Sequence, residues 1–327
     1  RKGDELVVED AGSGAAPGED GGAGPRQYEL PKQLRQHFLE VPCKWRLVAL
    51  VALLRGKTAP PTRGGAGRDG GGGGNSGSGR SSGRGGGKVV LFLSTCAGVE
   101  FHHALLSGSL PAAVGGRLPT RLFKLHGQLA QAERTATFLD FTKGDAGVLV
   151  CTDVAARGLD FSAVSTILQY DPPGEPSEYV HRVGRTARMG QAGEAVLFLL
   201  PSEAPYLPLL GSHGVRLAPL PLDPVLEPLP DLENASGQLM DVIARDSDLK
   251  TLAASAYRSY VRAYAAHPAT VKDIFHIKHL HLGHVADSFA LRDPPSAFSR
   301  DEKEKKKANP DKRKYKPGGK HKPQRHS

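Results

Sequence analysis

The chain has 327 residues, among them 40 glycines and 25 prolines, with 43 Lys or Arg against 34 Asp or Glu and a formal net charge of +9. Twelve Lys or Arg against four Asp or Glu lie in residues 300–327, so eight of the nine net charges sit there, and the nearly neutral remainder excludes a core that attracts nucleic acid by charge alone. Three widely spaced cysteines, Cys43, Cys96 and Cys151, exclude a disulfide framework or a Cys-x-x-Cys metal site, and no apolar run reaches the ~18–20 residues of a membrane span.

Residues 1–27 are acidic and Gly-rich and predict a linker without fixed structure. They begin without Met and carry no apolar signal core, which predicts a soluble, intracellular fragment of a longer protein. Compact texture starts at Tyr28. Residues 34–41 alternate as a strand does, and after Pro42 the apolar Trp45, Val48, Val51 and Leu54 recur at three-residue steps, as on one helix face ending at Gly56. Residues 59–87 are almost wholly Gly, Ser, Arg and Pro and predict a disordered insertion. A tolerated surface loop accounts for it, since each doubling of loop length costs only ~0.6 kcal/mol of closure entropy, while its arginines also resemble an RGG segment.

From Lys88 to about Leu200, apolar runs at 89–94, 122–125, 148–151, 166–170 and 195–200 alternate with helical patterns. This predicts an α/β domain over 28–58 and 88–200, built on a parallel sheet buried on both faces, with ligands at the carboxyl ends of its strands. Residues 201–234, rich in Pro and Leu, predict an extended connector. Residues 235–295 follow with Leu239, Val242, Ile243, Leu249, Leu252, Ala256, Tyr260 and Tyr264 near helical spacing, a stop at Pro268 and a shorter helical patch at 276–290. Residues 296–327 form a basic tail expected to be disordered.

Two stretches carry chemistry. At 148–161, VLVCTDVAARGLDF, an apolar strand ends in Thr152-Asp153, and a small-residue turn leads to Arg157-Gly158-Leu159-Asp160. The small residues let a backbone approach a ligand, while Thr, Arg and Asp supply a phosphate donor, a cation and a hydroxyl acceptor. At 181–199, HRVGRTARMGQAGEAVLFL, a helix would set His181, Arg185 and Arg188 on one face with Arg182 beside them. Guanidiniums so crowded need carboxylates or an anion. Few carboxylates lie nearby in sequence, so a polyphosphate fits better than a surface ion-pair cluster.

Together these stretches resemble motifs V and VI of the DEAD-box RNA helicases. Upstream, VVLFLST at 89–95 is similar to motif IV and LHGQLAQAERTATFLDF at 125–141 to the block that follows it, in the same order. The resemblance implies a RecA-like parallel sheet flanked by helices and a role as the second domain of an ATP-dependent helicase. By it, Arg185 and Arg188 would reach the γ-phosphate of ATP, bound with Mg²⁺ mainly by a preceding RecA-like domain. Asp160 and Gly158 would lie at the nucleotide, Asp160 accepting from the ribose. Thr95, Gly127, Gln131 and Thr152 would face the RNA backbone, with Arg134, Arg157, His181 and Arg182 at the interface between the two domains.

A helicase of this class also needs a Walker A loop and a D-E-A-D box, and the sequence contains neither. Gly56-Lys57-Thr58 is a near miss, with Val51 where the first Gly should stand; Gly87-Lys88 fails through Val89 and Ser82. By itself the chain is expected neither to bind ATP tightly nor to hydrolyse it. An RNA-binding or scaffold module and a related DNA helicase are the competing readings.

The stretch at 255–295 resembles the extension of nucleolar DEAD-box proteins, and its LHLGHVADSFALRDPP ending is similar to the subgroup called helicase 31 in animals. This implies work on the large ribosomal subunit, with pre-ribosomal RNA and proteins as partners and the nucleus and nucleolus as location. His276, His279, His281 and His284 lack the Cys or spaced carboxylate of a zinc site, so no metal is expected. Tyr257, Tyr260 and Tyr264 have the spacing of core residues rather than of a base-stacking platform. The tail has the charge pattern of a nuclear address, an RNA tether or a solubilising segment.

Overall fold

Val, Leu and Phe fill the central strands, which read as unbroken apolar runs because both faces of the sheet are covered. In the computed structural model, which describes residues 26–59, 87–108, 110–153, 161, 163–187, 190–229 and 231–292, seven parallel strands lie in the order β3-β4-β2-β5-β6-β1-β7. They are β1 Leu34–Glu40, β2 Lys88–Phe92, β3 Leu122–Leu125, β4 Gly147–Cys151, β5 Val164–Gln169, β6 Gly193–Leu199 and β7 Ala218–Pro219. Every residue of β2 and β4 is buried. The expectations for 1–25, for 60–86 within the insertion and for the tail from 293 lie outside the described residues.

Helix α1, Arg46–Thr58, is buried without interruption from Arg46 to Leu54. The single apolar face expected from Trp45, Val48, Val51 and Leu54 is therefore only part of its burial, which also takes in Ala49, Leu50 and Ala52, and helices later in the chain contact it as well. Helix α2, Cys96–Ser107, is capped by Thr95, whose side chain accepts from the Gly98 amide. Helix α3, Gln131–Lys143, follows β3, and α4, Pro176–Val183, follows β5.

Residues 201–234 are not an extended connector. A 3₁₀ turn at Pro201–Glu203 leads to α5, Tyr206–Ser212, then to β7, which pairs with β1, and to α6, Leu222–Leu226. Pro201, Pro205, Pro208, Pro221 and Pro224 stand at caps or in first turns, where no intrahelical amide bond is lost, and Pro219 stands on an edge strand.

The helical region beyond is two helices, α7 Leu232–Arg245 and α8 Ser247–Ala265, broken at Asp246, whose carboxylate accepts from the amides of Asp248 and Leu249. Helix α8 lies along α2. Its Tyr257, Tyr260 and Tyr264 are buried, in an aromatic cluster with Phe289, Phe101, His102 and Tyr170, so they pack rather than stack on bases. The short α9, Leu282–Asp287, begins at His281, whose Nδ1 accepts from the His284 amide, and His276 accepts in the same way from Lys278. These imidazoles serve as helix caps. Among the described residues no helix is long and apolar enough to cross a membrane, and no group of three or more His, Cys, Asp or Glu is placed to hold a metal.

Candidate functional site

Because β3, β4 and β2 are neighbours, the turns at their carboxyl ends are neighbours too. Thr95, Gly127 and Thr152 stand there, one after each strand. Thr95 is half-buried and caps α2. Gly127 is exposed, with open space where a Cβ would stand, and Thr152 is buried. Gln131 is the exposed first residue of α3, and its Oε1 accepts from Arg134 at 3.2 Å, which draws Arg134 along its own helix.

A small ion cluster shapes the β3 turn. Glu100 of α2 accepts from Lys124 at 2.9 and 3.0 Å and meets His126 Nε2 at 2.8 Å. Burial raises the Glu100 carboxyl, but bonds and charge from Lys124 and His126 more than offset this and hold it below the usual carboxylate range. His126 is buried, so the residue just before Gly127 is fixed from α2.

At the β4 and β5 ends, Arg182 and Asp171 organise the interior. Arg182 on α4 is 3 % exposed; it donates to both Asp153 oxygens, at 2.6 and 2.7 Å, and to the Asp171 carbonyl at 2.7 Å. This corrects its assignment to a domain interface, because its donors are spent inside the domain. The carboxylate that holds it is 29 residues away in sequence, beyond the local search that favoured a polyphosphate. Asp171 is buried and binds Arg46 of α1 at 2.9 Å through one oxygen, and the Ser94 amide and hydroxyl, each at 2.8 Å, through the other. Burial pushes Asp171 up, yet Arg46 and Ser94 keep it below its ordinary range.

Arg46 also lies over the Tyr170 ring, bonds the Tyr170 carbonyl and donates to the Tyr260 hydroxyl at 3.2 Å. The Tyr264 hydroxyl donates to Glu203 at 2.9 Å. Both tyrosines are on α8, so the extension is bound to the core through buried polar groups. Burial raises Glu203 to about 7, against the lowering effects of Arg46, the Leu200 amide and Tyr264. A cleft of about 180 Å³ opens between the two parts, lined by Ser94, Asp153, Asp171 and Arg182 from the core and by Tyr260 and Tyr264 from α8.

The guanidinium face expected on one continuous helix is not formed that way. Helix α4 ends at Val183, and Arg185 lies in the turn beyond, half-buried, its Nε donating to the His181 carbonyl at 3.3 Å. Gly184 and the left-handed Ala187, with φ of 57°, redirect the chain. His181 is exposed at the last turn of α4, beside this bend. Arg157, Gly158, Asp160 and Arg188 lie outside the described residues. The Gly56-Lys57-Thr58 near miss is the last turn of α1, with Thr58 bonded to the Leu54 carbonyl and Lys57 paired with Glu194 at 2.7 Å, so it cradles no phosphate.

Sequence reasoning missed Arg46, Asp171, Asp153 as a partner, Glu203 and Glu100. Isolated charges inside apolar runs, such as Arg46 beside LVALVALL and Asp171 after TILQY, are the signal that could have exposed two of them, since a buried charge needs a buried partner.

A family model for the helicase conserved C-terminal domain matches residues 82–190, and one for the C-terminal extension of SPB4-like ATP-dependent rRNA helicases matches 246–297. The chain is 39% identical over 321 residues to DEAD-box ATP-dependent RNA helicase 17 of Oryza sativa subsp. japonica, covering 88% of this chain and 50% of that protein. It is 36% identical over 316 residues to ATP-dependent DNA helicase DDX31 of Homo sapiens, covering 86% and 34%. The chain thus spans half or less of the length of these curated relatives. A solved structure of DEAD-box helicase Mss116 bound to ssRNA and UDP-BeF aligns with 81% of this chain and 46% of that one, at a TM-score of 0.50 and 22% identity, which is a likeness of fold. With a RecA-like sheet that carries the helicase C-terminal domain and then an SPB4-like extension, the chain belongs to the DEAD-box helicase family.

Proposed function

We propose that this chain is the second lobe of an ATP-dependent RNA helicase that works on ribosomal RNA. The observation that carries this reading is the sheet order β3-β4-β2, which sets Thr95, Gly127 and Thr152 side by side at one rim of the domain. Hydroxyls, a bare glycine backbone and the Gln131 amide suit phosphates and sugars rather than base edges, so the grip is expected to be blind to sequence. The rRNA assignment follows from the extension's similarity to SPB4-like rRNA helicases, and with it go pre-ribosomal partners and a nucleolar location.

The nucleotide site is shared with a preceding RecA-like domain that holds most of the ATP and Mg²⁺. The fit on this side rests on Arg185, half-buried on the bend after α4, close in sequence to Arg182, which is bonded to Asp153. When bound, ATP with Mg²⁺ supplies the phosphoryl group that water attacks. Arg185 and Arg188 are the arginine fingers, each of a kind worth about 10³–10⁵ in rate because it meets charge that develops in the transition state. By the motif resemblance, Asp160 and Gly158 are assigned to the ribose, and His181, Arg134 and Arg157 to the contact with the partner domain.

The test is ATP hydrolysis by a protein carrying both helicase domains, titrated with single-stranded RNA. RNA is expected to stimulate turnover, and a protein that stays inactive with every RNA would leave only a binding module. The name of the human relative favours a second reading, a DNA helicase; equal stimulation by single-stranded DNA would select it.

A further inference from the structure

The Thr95 hydroxyl is not open on its extension side. Its Oγ1 accepts from the Gly98 amide at 3.0 Å and lies 3.0 Å from Ser259 Oγ on α8. Ser259 Oγ in turn donates to the Ala256 carbonyl at 2.9 Å. A hydroxyl has one proton. With the Ser259 proton on Ala256, the bond between the two hydroxyls can run only from Thr95 to Ser259. The Thr95 donor is then spent, and the Gly98 amide occupies one of its lone pairs.

A phosphate oxygen accepts and cannot donate, so Thr95 in this state offers it nothing. We propose that Ser259 of the extension is a gate on the Thr95 hydroxyl, which controls how the core grips the sugar-phosphate backbone of single-stranded RNA. Opening it takes only a rotation of the Ser259 O–H from Ala256 to Thr95, after which Thr95 accepts from Ser259 and turns its own proton outward. The gate stays in register because its helical neighbours Ala256, Tyr257 and Tyr260 are buried and Tyr260 accepts from Arg46. A core residue with an RNA contact is thereby set by the extension, so this inference rests on the reading of Thr95 given above.

The experiment measures binding of fluorescein-labelled decauridylate to the full chain by anisotropy, at one fixed salt concentration so that the basic tail contributes equally to every variant. Ser259→Ala is expected to tighten binding about two- to tenfold, the range of one neutral hydrogen bond regained. Ser259→Asp, an acceptor that holds the Thr95 proton and repels phosphate, is expected to weaken it. Thr95→Val is expected to weaken binding and to abolish the gain from Ser259→Ala. A merely structural Ser259 would not yield a tighter complex on truncation. If Thr95→Val weakens binding while Ser259→Ala leaves it unchanged or weaker, the gate is overturned and the RNA reading stands. If Thr95→Val leaves binding unchanged, the RNA reading of Thr95 fails and the gate goes with it.

Discussion

Arg182 and Asp153 are joined by two hydrogen bonds of 2.6 and 2.7 Å, whereas Arg185, only three residues further on, is half-buried in the bend after α4. Two arginines of one motif therefore do different work. Arg182→Ala leaves Asp153 without its partner and is expected to destabilise the domain by about 3 kcal/mol, the scale for breaking a largely buried pair. Urea denaturation of the purified chain measures this.

Arg185→Ala is the counterpart. In a protein with both helicase domains it should lower kcat by about 10³-fold or more, as removal of an arginine finger does, with ATP affinity and melting temperature little changed. A melting temperature that fell as far as that of Arg182→Ala would make Arg185 a structural residue instead.

The Glu203 carboxyl gives a pH signature. Its folded value of about 7 stands above its ordinary 4.5, because burial penalises the charged form. Between those two values the folded protein binds the proton more tightly than the unfolded chain. This contribution is therefore complete at low pH, shrinks as pH rises through the window and is level above about 7. The loss amounts to roughly 3 kcal/mol at most, at 1.36 kcal/mol per unit. Glu203→Gln should flatten the fall relative to the parent chain in denaturant titrations from pH 4.5 to 8, while its amide oxygen can still accept from Tyr264.

Gly193, the first residue of β6, sets the bend that carries Arg185. A Cβ there would come within 2.5 Å of Thr186 Oγ1 and 2.7 Å of the Ala187 nitrogen. Since Thr186 is itself bonded to the Val164 carbonyl, the bend must move as a unit. Gly193→Ala is expected to cost about 1–3 kcal/mol of stability and to lower hydrolysis in the two-domain protein by moving Arg185. Unfolding curves and turnover, measured together, test both effects.

The central strands were legible in sequence because burial on both faces leaves unbroken apolar runs, as in Val148, Leu149 and Val150. The residues at their carboxyl ends followed from chain order. Residues 201–234 misled because proline is a poor guide within the first helical turn, and Pro208 and Pro224 both stand there. Arg182 misled for another reason: its partner Asp153 is close in space through β4 and α4, and spacing along one helix cannot reveal a neighbour on another element. The Thr95–Ser259 pair, 164 positions apart, left no local trace at all.

The long Gly-rich segment leaves the domain at Ala59, after the last turn of α1, and the chain re-enters at Gly87, just before β2. Since β2 runs from Lys88 toward Thr95, both attachment points belong to the pole opposite the rim that carries Thr95, Gly127 and Thr152. Lineages can therefore lengthen, shorten or recompose that segment without renegotiating the geometry of the working rim, and the same position is a natural place to graft a tag or a foreign domain.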